Sequence, residues 1–462
     1  MGISRPHKVA IIAPTCFYYQ VPLFREIASS KEINSTIYFC SEEGITGSDV
    51  RAAYHSSGNW GVQEELLEGY QSKILKNHAF RGSYLKSLIG LANFGIWREL
   101  SKERPDTVIV MSWMNPTWWL TFLACLKLRI PMLFMTDANG EAEQFKSGWK
   151  LWIKHNALGK FLFRTSSGFL CSGTANERFY TKYDVPVNKM YPFAYSWGYN
   201  ILMEQADRLK DRKSELRKKY GIPQDDTVLL YCGRLSSEKG SIDLLEAYKM
   251  VPLQGKALVL VGDGQLRKTL QDIVDTQGLE SVYSMGFQNR NDIGEFYALA
   301  DIFILPSHSE TWGIVVAEAL CFSLPVIVSD QVGAGFDLVS LNENGQTFPV
   351  GDVIALADRI SRLIELPKED RLKMGQKSRS LIKEWASKDL SLMLSNHIST
   401  IKLRSDVMPM SPAITCYRIL PEWFARNLAF FVVGTALALG FLFLSFRPAI
   451  RQIKYTFKRL RR

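Results

Sequence analysis

Two successive series of short apolar runs alternate with helical segments along this 462-residue chain. The first series includes runs at 8–13 and 132–136, and the second includes runs at 228–232, 302–305 and 326–328. Strands that alternate with helices form parallel sheets, because each crossover helix covers a face of the sheet. The pattern therefore predicts an α/β protein with two doubly wound, Rossmann-like domains that face each other across a cleft.

Changes of composition divide the chain. Between residues 192 and 215 the alternation stops, and aromatic and glycine residues give way to a charged run. We predict a first domain over 1–205, a second domain with terminal helices over 206–404, and a tail over 405–462. The segment 44–80 is rich in Gly, Ser and aromatic residues with weak periodicity, so we expect it to be irregular.

The net charge of +10 is a local feature of the tail. Residues 405–462 hold nine Lys and Arg against two Asp and Glu, so they carry most of the excess. The charge therefore does not indicate a nucleic-acid partner. The seven cysteines are widely spaced without a CxxC pair, which favours buried reduced thiols, and the six histidines show no metal-ligand spacing. We expect no metal site.

A glycine-bounded turn, GRLSSEKG at 233–240, follows the first strand of the second domain. Gly233 lets a ligand approach the backbone closely, and the side chains of Arg234 and Lys239 suit a phosphate. The octapeptide alone is also compatible with a solvated turn whose cations lie in water. The next strand ends at Gly262 in a second tight turn, which by itself is weak evidence. No GxGxxG follows a first strand and no GxxxxGK[ST] occurs, which argues against a dinucleotide dehydrogenase and a P-loop NTPase.

Two carboxylates belong to the stretch DIFILPSHSETWGIVVAEAL, which reads as strand, turn and helix. Glu310 lies in the turn and Glu318 lies inside the apolar helix. A carboxylate is costly to bury without a partner, so Glu318 is expected to meet a hydroxyl-rich or cationic ligand. The backbone N–H groups at the helix start suit a phosphate; they belong to Thr311, Trp312, Gly313 and Ile314. Alternatively, Glu310 is a solvated turn residue and Glu318 is a carboxylate on the surface of the helix.

These three turns in this order, with the form E-x-x-G-x-x-x-x-E-A after GR…KG, resemble the retaining glycosyltransferases of family 4 (glycosyl transferases group 1, GT-B fold). The resemblance is strong over 200–390 and weak over 1–200. It implies that Arg234 and Lys239 neutralise the diphosphate of a nucleotide-sugar donor, with the turn glycines and the amides of residues 311–314 around it.

The same resemblance assigns the two glutamates. It implies that Glu318 holds the ribose hydroxyls of the donor and that Glu310 contacts the transferred sugar. It also implies transfer with retention by front-face attack, without a metal ion or another cofactor and without a protein nucleophile.

The first domain departs from the family pattern. Many members have a Gly-Gly loop after the first strand, where this chain has PTCFYYQVP at 14–22, and a histidine where this chain has Asp137. Asp137 either takes over a contact with the sugar or acceptor, or caps an Asx turn. A basic aromatic helix is predicted at 148–164, and it either lies on an anionic membrane or packs on the sheet with solvated lysines. His155 in that helix is expected to be structural or interfacial.

The tail contains nineteen uncharged residues at 428–446, a length that reaches about 28 Å as a helix and is close to the thickness of a bilayer. Residues 447–462 follow with seven basic residues and no acidic one, which is typical of an interfacial helix on anionic lipid. With the catalytic domains in the cytoplasm, a full span would place this basic end outside, against the positive-inside rule. A re-entrant segment would keep it inside, and the sequence leaves both open.

The expected function is that of a membrane-associated retaining glycosyltransferase. It would move a sugar from a nucleotide diphosphate sugar to a lipid-linked or glycan acceptor in surface polysaccharide or glycolipid biosynthesis. Two alternatives remain: a nucleotide-sugar epimerase of the same fold, which needs no lipid acceptor, and a non-catalytic membrane-associated module.

Overall fold

The computed structural model describes most of the chain. The described residues are 5–46, 64–79, 90–112, 115–139, 159, 162–194, 198–252, 254–279, 281–289, 292–405, 417–431 and 433. They form two α/β domains, each built on one parallel sheet.

The first sheet has seven strands in the order β3-β2-β1-β4-β5-β6-β7, with every neighbouring pair parallel. Its strands are β1 (His7–Ala13), β2 (Ile33–Phe39), β3 (Gln71–Ile74), β4 (Thr107–Val110), β5 (Met132–Thr136), β6 (Gly168–Cys171) and β7 (Met190–Pro192). The helices of this part are α1 (Val21–Ser29), α2 (Glu43–Thr46), α3 (Gly95–Glu103), α4 (Pro116–Leu128) and α5 (Thr174–Lys182). The central strands are apolar on both faces because helices cover both sides.

The second sheet has six parallel strands in the order β10-β9-β8-β11-β12-β13. They are β8 (Thr227–Cys232), β9 (Lys256–Val261), β10 (Val282–Gly286), β11 (Ile302–Leu305), β12 (Val326–Ser329) and β13 (Gly345–Phe348). The helices up to β13 are α6 (Tyr199–Leu209), α7 (Lys213–Lys219), α8 (Ser241–Met250), α9 (Arg267–Thr276), α10 (Ile293–Leu299), α11 (Ile314–Cys321) and α12 (Gly335–Leu338). The strand order reverses between β8 and β11, and the loops that leave these strands open a crevice there.

The predicted α/β class with two doubly wound domains is confirmed, but three strands were missed. β3 lies in the segment that we expected to be irregular. It is a polar edge strand of sequence QSKI, and three of its four residues are exposed. Edge strands need no apolar run, so the sequence gives no strand signal there. β7, of sequence MYP, and β13, of sequence GQTF, are edge strands as well.

Three further helices follow the second sheet: α13 (Val353–Glu365), α14 (Lys368–Ala386) and α15 (Leu390–Ser405). α15 packs against α1 of the first domain, where the backbone N–H of Leu390 donates to Glu26 Oε1 at 3.0 Å. α6 packs against α10 and α11 of the second domain. The domain boundaries at 205 and 404 stay predictions, and the helices beside them make contacts across them.

In the described part of the tail, residues 417–419 form a short helical turn, 422–431 form a helix, and Val433 is also helical. Most of the predicted membrane segment 428–446, and all of the basic segment 447–462, lie outside the described residues. Among the helices that the described residues form, none combines the length and the apolar character needed to cross a bilayer. The membrane segment and the re-entrant alternative therefore stay predictions.

The predicted basic helix at 148–164 also lies almost entirely outside the described residues, and His155 with it. Near its end, Leu162 and Phe163 are buried in the core of the first domain, where Phe163 packs edge-on against Phe134 and Phe169. This end of the segment therefore packs on the sheet.

Candidate functional site

A cavity of about 450 Å³ lies between the two domains, at the carboxyl ends of their strands. All the site residues predicted from the sequence line it: Asp137, Gly233, Arg234, Lys239, Gly262, Glu310, Thr311, Trp312, Gly313, Ile314 and Glu318. They come together because the loops after parallel strands emerge at the same edge of a sheet.

Two glycine turns form the floor of the cavity. Gly262 has φ +141°, and a Cβ placed on it would lie 1.9 Å from the carbonyl oxygen of Gly233. The Gly233 N–H donates to Val261 O at 3.0 Å, so the loops after β8 and β9 are in direct contact. A side chain at residue 262 would separate these loops, which explains the glycine in physical terms.

Lys239 and Glu310 form an ion pair inside the cavity. Their side chains are only 19% and 13% exposed. The pair joins the turn after β8 to the turn after β11, so a cation and a carboxylate are held side by side at the switch point. Removing one partner would leave the other charge poorly solvated, which is costly.

The start of α11 faces the cavity with its backbone. Gly313 has φ +97° and precedes Ile314, the first residue of the helix. The first amides of a helix have no partner within the helix and favour an anion. The Trp312 side chain is buried and stacks on Trp385 with 5.6 Å between ring centroids. This residue therefore supports the helix start from the core, and only its backbone suits a ligand.

Glu318 is held by a residue that the sequence interpretation missed. The hydroxyl of Tyr297, on α10, donates to Glu318 Oε2 at 2.7 Å. Burial, together with the nearby Cys232 and Glu318, raises the pKa of the Tyr297 phenol well above its ordinary value. The phenol therefore stays protonated and remains a donor. The only available signal was a tyrosine in an apolar helix, since a buried tyrosine hydroxyl usually finds a partner.

The first domain contributes Asp137, which follows β5. Asp137 Oδ2 accepts a hydrogen bond from Thr311 Oγ1 at 2.9 Å, across the cleft. The carboxylate faces solvent in the cleft, but protein surrounds it closely. This desolvation, with the charge of Glu310, raises its pKa above the ordinary value. Asp137 thus lies in the site, and its role there stays a prediction.

Asn139 is a second residue that sequence reasoning missed. It is buried, and its Nδ2 donates to the backbone oxygens of Glu310 at 3.0 Å and Gln331 at 3.4 Å. Tyr18 and Tyr19, from the turn after β1, also line the cavity. The departure of that turn from the family pattern was the only signal for the tyrosines.

Burial raises the pKa of the Cys232 thiol to about 12, so it stays protonated near neutral pH and is a poor nucleophile. The described cysteines, Cys16, Cys40, Cys125, Cys171, Cys232 and Cys321, are all buried free thiols, as expected, and Cys416 lies outside the described residues. In the part of the chain that the structure describes, no cluster of His, Cys, Asp and Glu suits a metal ion. Metal independence stays a prediction.

The family profile that matches this chain covers part of the second domain. Residues 212–381 match the family profile described as Glycosyl transferases group 1. The chain is 27% identical over 225 residues to alpha-D-kanosaminyltransferase of Streptomyces kanamyceticus, which covers 47% of this chain and 55% of that relative. It is 34% identical over 130 residues to alpha-monoglucosyldiacylglycerol synthase of Acholeplasma laidlawii, covering 27% of this chain and 30% of the relative. The chain thus spans about half of the first relative and less of the second.

The similarity of fold extends further than the similarity of sequence. Anabaena HepE in complex with UDP and glucose aligns with a TM-score of 0.61 at 17% identity, over 86% of this chain and 99% of that chain. This likeness shows the fold, which is GT-B. Residues 212–381 thus match the glycosyl transferases group 1, and the two described domains together have the GT-B fold.

Proposed function

We propose that this protein is a retaining glycosyltransferase of family 4 that transfers a sugar from a nucleotide diphosphate sugar. The observation that carries the proposal is the arrangement of Arg234, Lys239 and the start of α11 around one cavity with Glu310 and Glu318. Two cations and a helix N-terminus suit a diphosphate, and two carboxylates beside them suit sugar hydroxyls.

The leaving group of this reaction is a nucleoside diphosphate, whose negative charge grows in the transition state. Preorganised cations and backbone amides stabilise such a charge without a metal ion. Lys239 is already held beside Glu310, so a diphosphate would meet a fixed ammonium group. Glu318, oriented by Tyr297, is assigned to the ribose hydroxyls, and Glu310 to the transferred sugar.

The sugar carbon passes through an oxocarbenium-like state. We propose that the acceptor hydroxyl attacks from the side that the diphosphate leaves. The bond from the anomeric carbon to the phosphate oxygen breaks, the bond to the acceptor oxygen forms, and the acceptor proton goes to the departing phosphate. No protein nucleophile takes part, in keeping with the protonated state of Cys232. Asp137, across the cleft, is assigned to a hydroxyl of the sugar or acceptor.

The acceptor is proposed to be lipid-linked or a glycan, in surface polysaccharide or glycolipid biosynthesis on the cytoplasmic side of a membrane. The uncharged and basic segments of the tail support a membrane location. The Acholeplasma relative is named alpha-monoglucosyldiacylglycerol synthase, and this name supports a lipid acceptor.

The donor is tested by thermal unfolding of the full chain with UDP-, GDP- and ADP-sugars. A ligand at 100 times its Kd stabilises the folded state by about 2.7 kcal/mol. One nucleotide family should raise the Tm of the wild type, and Glu318→Gln should reduce that shift. Glu343→Gln is the matched control, because Glu343 is 60% exposed and pairs with Lys377 away from the cavity. If no nucleotide sugar raises the Tm, the assigned donor site is wrong.

The chemistry is tested by NMR of the glycosidic bond formed with the donor found in that screen. The proposal predicts that the product keeps the anomeric configuration of the donor. An inverted product would reject the front-face mechanism, and epimerisation of the donor without transfer would favour the epimerase alternative.

A further inference from the structure

The helix over 422–431 is docked on the first domain. Ala425, Ala429 and Val433 are at most 5% exposed and lie in the same apolar core as the sheet helices. The Phe430 ring packs edge-on against Phe94, with 5.2 Å between centroids. One side of this helix is therefore part of the first domain.

Polar contacts fix the helix in place at its start. Lys127 Nζ donates to the backbone oxygen of Arg418 at 2.5 Å, and Arg418 Nε donates to Leu126 O at 3.1 Å. Ser101 Oγ donates to Glu422 Oε1 at 2.5 Å. These contacts join the helix to both α3 and α4, so its orientation relative to the first domain is set.

The opposite side of the helix is apolar and exposed. Trp423, Phe424, Leu428 and Phe431 are 62%, 44%, 40% and 71% exposed. Positions three and four apart share a face of a helix, so these four side chains form one surface, on which Asn427 is the polar member. Ile419, just before the helix, is 74% exposed. A continuous apolar surface of this kind marks an interaction site.

The chain that follows indicates what covers this surface. After Val433 come thirteen uncharged residues, 434–446, and then 447–462 with seven basic residues. Thirteen residues reach about 20 Å as a helix, which is short of the roughly 30 Å of a bilayer core. Because Ala429 and Val433 are already buried against protein, the uncharged run left for lipid fits a shallow position better than a span. The basic end complements anionic headgroups.

We propose that Ile419, Trp423, Phe424, Leu428 and Phe431 insert into the surface of an anionic membrane and hold the first domain against it. Because the helix docks on the first domain, that domain faces the bilayer. The first domain's side of the cleft then lies nearest to the membrane, and the second domain is attached through the first. Tryptophan and phenylalanine are favoured at the boundary between headgroups and acyl chains. The inference rests on the proposed membrane association but not on the proposed transfer reaction.

The contact is tested with a dye at single positions of the full chain. Phe424→Cys and, as matched control, Ile354→Cys are made in a Cys416→Ser background and labelled with an environment-sensitive fluorophore; the six described native cysteines are buried. Ile354, on α13 of the second domain, is 70% exposed. With phosphatidylglycerol and phosphatidylcholine vesicles, the dye at 424 should shift to the blue and be quenched by nitroxide lipids, and the dye at 354 should not.

A second measurement uses vesicle flotation. The double variant Trp423→Ser and Phe424→Ser should bind these vesicles at least 10-fold more weakly than wild type, since two large apolar side chains no longer leave water. Ile354→Ser should bind like wild type, and circular dichroism checks that both variants fold. A dye at 424 that stays in water on vesicle-bound protein would overturn the proposal. Dimerisation without lipid that the double variant abolishes would also overturn it, because the surface would then bind a second copy.

Discussion

The two walls of the cleft are built in different ways. The second-domain wall consists of backbone turns at Gly233, Gly262 and Gly313 and of the buried pair Lys239–Glu310. The first-domain wall consists of single side chains that reach across from loops: Tyr18, Tyr19, Asp137 and Asn139. The second-domain wall is therefore fixed by local backbone geometry, whereas the facing wall depends on how the domains meet.

The seam between the walls is polar. Asp337, on α12 of the second domain, accepts hydrogen bonds from Thr174 N at 3.0 Å and Thr174 Oγ1 at 2.7 Å, at the N-terminus of α5. Together with the contacts of Asn139 and Asp137, it joins the two domains across the cleft. Polar interfaces between domains of one chain commonly permit relative motion.

The largest effect is expected on the second-domain wall. Arg234→Ala or Lys239→Ala should lower turnover by on the order of 10²-fold or more, because a charge that stabilises the leaving diphosphate is lost. Steady-state kinetics measure the loss. Lys249→Ala is the control, since Lys249 pairs with Glu246 outside the cavity. If both variants keep the wild-type turnover, the assigned site is wrong. The second-domain wall is then not the one on which turnover most depends.

Next in size is the hydrogen bond that orients Glu318. Tyr297→Phe should raise the KM for the donor about 10-fold, since a hydrogen bond to a charged group contributes about 1.5–3 kcal/mol. The kcat should change little, because the ribose lies away from the bond that breaks. Tyr248→Phe is the control: it loses a bond to Lys256 O at 3.0 Å and affects stability alone. If Tyr297→Phe and the wild type have the same KM for the donor, the assignment of Glu318 to donor binding is wrong.

A smaller effect, visible in the pH profile, is expected on the first-domain wall. Partial desolvation and the charge of Glu310 raise the pKa of Asp137 above its ordinary value, so it takes up a proton at a higher pH than a fully hydrated aspartate. With the ionised form active, kcat/KM should fall on the acid side at a pH above the usual range for an aspartate. Asp137→Asn should lower kcat/KM several-fold and remove this acid limb. If the acid limb of the kcat/KM profile persists in Asp137→Asn, a group other than Asp137 causes it.

The smallest effect is expected at the seam. Asp337→Ala removes the bonds to Thr174, and one such bond contributes about 0.5–1.5 kcal/mol, so kcat/KM should fall by about 2- to 10-fold. Small-angle scattering should show a larger radius of gyration without donor, because arrangements with the domains further apart gain population. Asp358→Ala, at an exposed ion pair, is the control. If Asp337→Ala keeps the wild-type kcat/KM and the wild-type radius of gyration, this contact does not hold the domains together.

Much of the second-domain wall was predictable because its signals are local. Each strand, its glycine turn and the following helix are contiguous in sequence, and parallel topology brings the turns after β8, β9 and β11 together. Tyr297 and Asn139 were missed for the opposite reason. Each acts through a partner on another element, and the bond from Asn139 to Glu310 joins residues 171 positions apart.

Sequence patterns alone were enough to predict the α/β class, the two doubly wound domains and the turns whose residues line the cavity, because periodicity and turn chemistry act over a few residues. Three contacts are visible in the folded structure alone: Lys239 pairs with Glu310, Tyr297 holds Glu318, and the helix over 422–431 docks on the first domain with an apolar face outward. These contacts depend on how elements distant in the chain pack together. The physical reason is that burial and ion pairing are set by neighbours in space, which no local pattern specifies.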